Sequence, residues 1–269
     1  MTTMTLQREA GRETATRPEP TSIPLTRIIG VELRKMFDTR SGFWLMTSIA
    51  ITALLATSTV ILFAPDSALT YNSFAAAIGI PMTVILPIIA ILSVTSEWSQ
   101  RSGLTTFTLV PHRGRVIWAK VISAVGVGIV SILVAFSIGA LGNVVGTTIT
   151  GTDLVWDLTM ENLLYITFAN VLGLMMGFML GVLTRNSAGA IVGYFVYSLV
   201  LPAIFEILAN FQEWFRDIQG WVDFNFSSSQ LFDGALTSTQ WAHLGVSGFI
   251  WLIAPLTVGI WLVLRSEVK

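Results

Sequence analysis

The chain has 269 residues, 53% of them hydrophobic and 12% charged, with a mean hydropathy of +0.73 and a formal net charge of −1. Soluble domains carry about 25% charged residues, so half that charge with this apolar content excludes an ordinary soluble globule and indicates a polytopic membrane protein. The absence of cysteine excludes disulfides and thiolate metal sites, and two histidines, His112 and His243, argue against a histidine-rich metal centre.

Residues 1–24, "MTTMTLQREAGRETATRPEPTSIP", are rich in Thr, Glu, Arg and Pro and contain no apolar core of signal-peptide length. They read as a disordered cytoplasmic tail. The remainder, 25–269, reads as a single six-span membrane domain. It opens with "PLTRIIGVELRKMFDTRSG", in which Leu25, Ile28, Ile29, Leu33, Met36 and Phe37 recur at spacings of three and four. That spacing predicts an amphipathic helix over 25–40 bedded in the headgroup layer, with Arg27, Glu32, Arg34, Lys35 and Asp38 on its polar side. Thr21 or Ser22 would cap it, Pro24 would occupy its first turn, and Gly42 would release the chain into the first span. Arg34, Lys35 and Phe37 are the residues expected to meet a cytoplasmic partner from this elbow.

A helix needs about 20 apolar residues to cross a bilayer. Six hydrophobic centres meet that length, near 44–64, 74–95, 121–145, 163–184, 187–209 and 242–264. The expected fold class is therefore an all-α membrane protein with both termini on one side. Fourteen of the 15 Lys and Arg residues fall on the face that holds the termini and the loop 96–120, and only Arg216 falls opposite. By the positive-inside rule that face is cytoplasmic. Pro81 and Pro87 in the second span predict kinks or local unwinding. Gly173, Gly177 and Gly181, with Gly142 and Gly146 and with Gly189 and Gly193, predict close helix contacts inside the bundle.

The loop 96–120, "SEWSQRSGLTTFTLVPHRGRVIWAK", carries more than topology demands. Glu97 and Arg101 are four apart and would pair on a helix leaving the second span. Leu104, Phe107 and Val110 then form an apolar stripe ending at Pro111, followed by Arg113, Arg115 and Lys120. Exposed apolar stripes of this kind meet a protein or a membrane surface.

An acidic residue closing the second span, then a short helix, a Pro with basic residues after it and a Lys opening the third span together resemble the type-2 ABC exporter permeases. Glu97, Arg101, Leu104, Thr105, Thr106, Phe107, Arg113, Arg115 and Lys120 lie in the stretch that carries the likeness, which extends to the elbow, the six spans and the outer segment 210–240. The resemblance implies that this loop is a coupling helix seated on a separate ATP-hydrolysing subunit. It also implies two ATPase copies and a second permease, identical or not, and an exporter of amphipathic or hydrophobic cargo such as a drug, a lipid-like molecule or a peptide. ATP and Mg would then lie on the partner. A Walker A loop needs G-x-x-x-x-G-K-[ST], and none of Lys35, Lys120 and Lys269 stands in that context.

Glu206 is the one acid within the spans as drawn, which makes it a candidate by default. "NFQEWFRDIQGWVDFNFSSSQLFDG" follows, with Phe211, Trp214, Phe215, Ile218 and Val222 as the apolar face of a short interfacial or re-entrant helix. The resemblance makes Glu206, Trp214 and Phe215 an outer gate. No cofactor, metal or nucleic-acid site is expected in this chain, and membrane lipids are expected around it. "GVSG" at 245–248 is a weak match to intramembrane serine proteases, since His243 has no orienting acid near it in sequence, and H-E-x-x-H is absent. The chain is not expected to be an enzyme. The competing expectation is an ATP-independent secondary transporter or a membrane interaction or immunity scaffold, although no convincing internal repeat supports an inverted-repeat transporter.

Overall fold

The computed structural model of the chain describes residues 23–99 and 113–265. Its helices are α1 (Leu25–Asp38), α2 (Arg40–Phe63), α3 (Tyr71–Ser99), α4 (Arg113–Thr150), α5 (Met160–Thr184), α6 (Ser187–Phe211), α7 (Glu213–Val222), α8 (Phe224–Ser229) and α9 (Ser238–Arg265). Six of them, α2 to α6 and α9, contain stretches long and apolar enough to cross a membrane. No strand forms among the described residues, and the one isolated bridge joins Thr70 to Val155. The protein is an all-α, multi-pass membrane protein.

The spans are apolar all round because each must face both lipid and its neighbours. α1 differs, burying a single stripe, Ile28, Glu32 and Met36, at steps of four. It starts one residue later than its proline, since Pro24 is the cap and not part of the first turn, and the proposed caps Thr21 and Ser22 lie outside the described residues. The corner into α2 falls at Thr39 and not at Gly42. Thr39 is extended (φ −81°, ψ 139°), and its Oγ1 accepts from Gly42 N at 3.1 Å, capping α2. Gly42 instead lets the two helices meet, because a Cβ there would run into Met36 O. α4 begins well before the expected 121, so the roots of the third span reach down beside α1.

α3 is the central helix, packed on α2, α4, α5 and the start of α6. One core gathers Met36, Ile49, Ile78, Leu86, Phe136 and Phe178 from α1 to α5. A second gathers Met176, Tyr194, Phe224, Leu231 and Leu252, with Ile91 of α3, and α5 contributes to both. The expected small-residue face of α5 is used in part. A Cβ on Gly177 would lie 2.5 Å from Pro87 O, and one on Gly181 3.4 Å from the Ile91 backbone, whereas Gly173 has open space.

Pro81 and Pro87 do not unwind α3, which runs unbroken from Tyr71 to Ser99. Pro87 cannot donate to the carbonyl four residues back, that of Thr83. That oxygen finds a replacement donor, the Tyr194 hydroxyl of α6 at 2.5 Å.

The bundle has two distinct ends. One holds α1, the last turn of α3, the first turns of α4 and the last turn of α9. At the other, the segment 151–159 straps α3 to α4: Val155 O accepts from Tyr71 N (3.2 Å) and Asn143 Nδ2 (2.9 Å), and Asp157 Oδ1 accepts from Asn72 N (2.7 Å). α7 and α8 lie at this second end.

Candidate functional site

Four charged side chains meet where α1 crosses the roots of α3 and α4. Glu32 occupies the buried stripe of α1, one helical turn from Ile28 and from Met36, and Lys35 stands one turn further along the same helix. Glu97 sits two residues before the end of α3, and Lys120 lies in the second turn of α4. Lys120 Nζ donates to Glu32 Oε2 at 2.5 Å and to Ser93 O at 3.0 Å, and pairs with Glu97 Oε1 at 3.3 Å. Lys35 Nζ donates to Glu32 Oε1 at 2.7 Å and to Glu97 Oε1 at 3.3 Å. The contacts close into a ring of alternating sign, Lys35–Glu32–Lys120–Glu97, with no net charge.

Burial is uneven around that ring. The side chains of Lys120, Glu32 and Glu97 are 5%, 6% and 3% exposed, while Lys35 keeps 40% of its surface. Taking ions out of water costs several kcal/mol each unless every donor and lone pair is engaged. The three ammonium protons of Lys120 have three oxygen partners, which meets that condition. Burial pushes the Glu32 carboxyl up, but Lys120 and then Lys35 outweigh it and hold the group below its ordinary value. Burial pushes Lys35 down, and its hydrogen bond to Glu32 and the charges of Glu32 and Glu97 reverse this, leaving it above its ordinary value.

A cavity of about 10 Å³ opens beside the ring, lined by Glu97, Lys120, Val94, Trp98, Val116 and Phe178. That is room for about one water and nothing larger. Among the described residues no three His, Asp or Glu are grouped to hold a metal ion. The arrangement does one thing well: it fixes α1 and the two roots of the 100–112 segment in a single register.

The structure brings Glu97, Lys120 and Lys35 together, as three of the residues singled out in sequence. Arg101, Leu104, Thr105, Thr106 and Phe107 lie outside the described residues, and so does the expected Glu97–Arg101 pair. Arg113 opens α4 and Arg115 is half-buried one turn before Lys120. Arg34 and Phe37 point away from the bundle on the exposed side of α1. Glu32 corrects the sequence reading, which set it on the polar side. Its place at the centre of the stripe was visible in the spacing 28, 32, 36, but its partner 88 residues away was not.

At the opposite end, Glu206 is exposed and accepts only from Asn210 Nδ2 at 3.4 Å, so it reaches the surface instead of forming a buried relay. Trp214 and Phe215 separate: Trp214 is 59% exposed and Phe215 5%, the latter packed on Phe205 at 5.5 Å between ring centroids. The side of α7 packed into the protein is Phe215, Gln219 and Gly220, while Phe211, Trp214 and Ile218 of the apolar face stay exposed. Two close contacts hold that side. His243 of α9 lies where a Cβ on Gly220 would be, and Trp251 Nε1 donates to Val222 O at 2.7 Å. Gln219 Nε2 also reaches Asp223 Oδ2 at 3.4 Å, and Asp223 caps α8 through Phe226 N at 3.0 Å. Burial holds the Asp223 carboxyl above its ordinary value despite these bonds.

No protein-family model and no curated protein matches this chain.

Proposed function

We propose that this chain is the membrane-spanning permease subunit of an ATP-driven ABC exporter, working with a separate ATPase. The observation that carries the reading is the four-charge ring. A loop that receives force must have stiff roots, and here both roots of 100–112 are fastened to each other and to an amphipathic surface helix through buried ion pairs. The sequence likeness of "GLTTFTLVP" and its basic flank to a coupling helix, the six apolar spans and the lack of a Walker A loop in this chain support the same reading. In this account two such chains, alike or different, enclose the path, and two cytoplasmic ATPase copies bind ATP and Mg and press on the 100–112 segment. The cargo is amphipathic or hydrophobic and leaves the cytoplasm.

The charge distribution orients the chain in the cell membrane with both termini in the cytoplasm. The far end, with Asp66, Asp153, Asp157, Glu161 and Asp217, then faces outward. Affinity purification of the tagged chain together with the product of a neighbouring ATPase gene tests the docking. The wild type is expected to hold the ATPase and stimulate it, and Phe107→Ala combined with Arg101→Ala to lose both. Unchanged association and stimulation in the double variant contradict the assignment.

A further inference from the structure

At the end of the bundle opposite the charge ring, α5 and α9 share an aromatic cluster. Glu161, Tyr165 and Phe168 follow one another at steps of four and three, which puts them on one side of α5. Trp241, in the first turn of α9, lies against both rings, its centroid 6.3 Å from that of Tyr165 and 6.2 Å from that of Phe168. The rings are tilted by 52° and 36° and so are not stacked face to face. Trp241 and Phe168 keep 42% and 39% of their surface exposed. An aromatic face carries the negative side of the ring quadrupole and attracts a cation within about 6 Å.

A carboxylate belongs to the cluster. The Tyr165 hydroxyl donates to Glu161 Oε1 at 3.1 Å, and Glu161 is exposed. Among the described residues no Lys or Arg pairs with it, and the sequence has neither between 121 and 184 nor between 217 and 264. Negative charge and ring faces therefore meet here without a cation of the chain's own. The surface below them is apolar. Gly245, one turn from Trp241, has open space where a side chain would stand, and Phe249, one turn further, is exposed. From Phe249 onward α9 packs on α5. Between Trp241 and Phe249 this leaves a notch on a membrane-spanning helix, open to the bilayer. Aromatic residues suit a membrane boundary without any ligand, but that role asks for neither the notch nor the carboxylate.

We propose that Glu161, Tyr165, Phe168 and Trp241 hold the ammonium head of an amphiphile, whose alkyl chain lies in the notch at Gly245. The carboxylate balances the charge of the head, and the rings cover its carbon-bound hydrogens, where the positive charge is spread. Tyr165 keeps Glu161 turned toward the rings through its hydrogen bond. Choline lipids and free cationic amphiphiles both carry such a head. The site rests on this end of the molecule alone and stands whether or not the chain works with an ATPase.

Photolabelling of the full chain tests this in vesicles of phosphatidylglycerol, a lipid without an amine. The probe is an alkyltrimethylammonium with a diazirine in its chain, and mass spectrometry locates the labelled peptides. Labelling around Gly245 and Phe249 is expected. Dodecyltrimethylammonium should displace it at about tenfold lower mole fraction in the membrane than dodecanol does, from one cation–π contact and one ion pair. Glu161→Gln and Trp241→Leu should each shrink that ratio to about threefold, and together to about one, with labelling of α2 unchanged. If the double variant melts early, the two single variants carry the test. Vesicles of phosphatidylcholine separate the sources: labelling lost there identifies a choline lipid as the occupant, and labelling retained identifies the free amphiphile. Equal displacement by the two heads in the parent chain overturns the proposal, and so does a tenfold preference that survives in both single variants.

Discussion

Lys120 Nζ lies 2.5 Å from Glu32 Oε2, and this contact fastens the surface helix α1 to the root of α4 across 88 residues of sequence. Both side chains are almost fully buried, so neither charge can turn to water if the other is removed. Lys120→Met is therefore expected to destabilise the folded bundle by about 3 kcal/mol. Lys35→Met, on the exposed corner of the same ring, should cost less than about 1 kcal/mol. Pairing Glu32→Leu with Lys120→Met leaves Lys35 facing Glu97 and should recover much of the loss. Thermal unfolding of the purified variants in one detergent gives the ranking.

The ring also predicts an acid limb in the pH dependence of stability. Glu32 is held below its ordinary value of 4.5 by its lysines. Its contribution is therefore present above about that pH and is lost as pH falls through the lower, folded value. Lys35, held above its ordinary 10.5, contributes below that pH and loses its share as pH rises through the folded value. Between these limits the ring should leave the melting temperature flat. Glu32→Gln should lower the plateau and reduce the acid limb, which a melting series against pH reads directly.

A different kind of bond is tested at Tyr194. Its hydroxyl serves the Thr83 carbonyl that Pro87 leaves without a backbone donor. Tyr194→Phe should cost about 1–3 kcal/mol, the usual penalty for an unsatisfied buried polar group. In a Pro87→Ala background the backbone supplies that donor, and the same substitution should cost clearly less. Unequal losses in the double-mutant cycle support this account, and equal losses contradict it.

The spans were legible in the sequence because crossing a bilayer imposes length and apolarity on every one of them. Apart from the longer α4, the described spans sit close to the expected centres, as with Gly42–Phe63 against 44–64 and Met160–Thr184 against 163–184. α1 was legible too, through its period. The charge pairing inside it was not. Glu32 looks like a solvated residue until α4 supplies Lys120, and no local rule connects positions 32 and 120. The prolines show the same limit. Pro87 sits in an unbroken helix where Tyr194 serves the carbonyl it leaves without a donor, whereas Pro202 and Pro255 each follow a widened turn. The side of α7 that packs into the protein was not legible, because Gly220 and Gln219 are buried by contacts with α9 and Asp223 that apolar spacing does not register.

The central claim is that this chain forms a passage it cannot power. Vesicles reconstituted with the purified chain, alone or with its ATPase, test this with a fluorescent amphipathic probe. The account predicts ATP-dependent movement of the probe only when the ATPase is present, and its loss in the Phe107→Ala, Arg101→Ala double variant. Equal movement by the chain alone, without nucleotide, would contradict it.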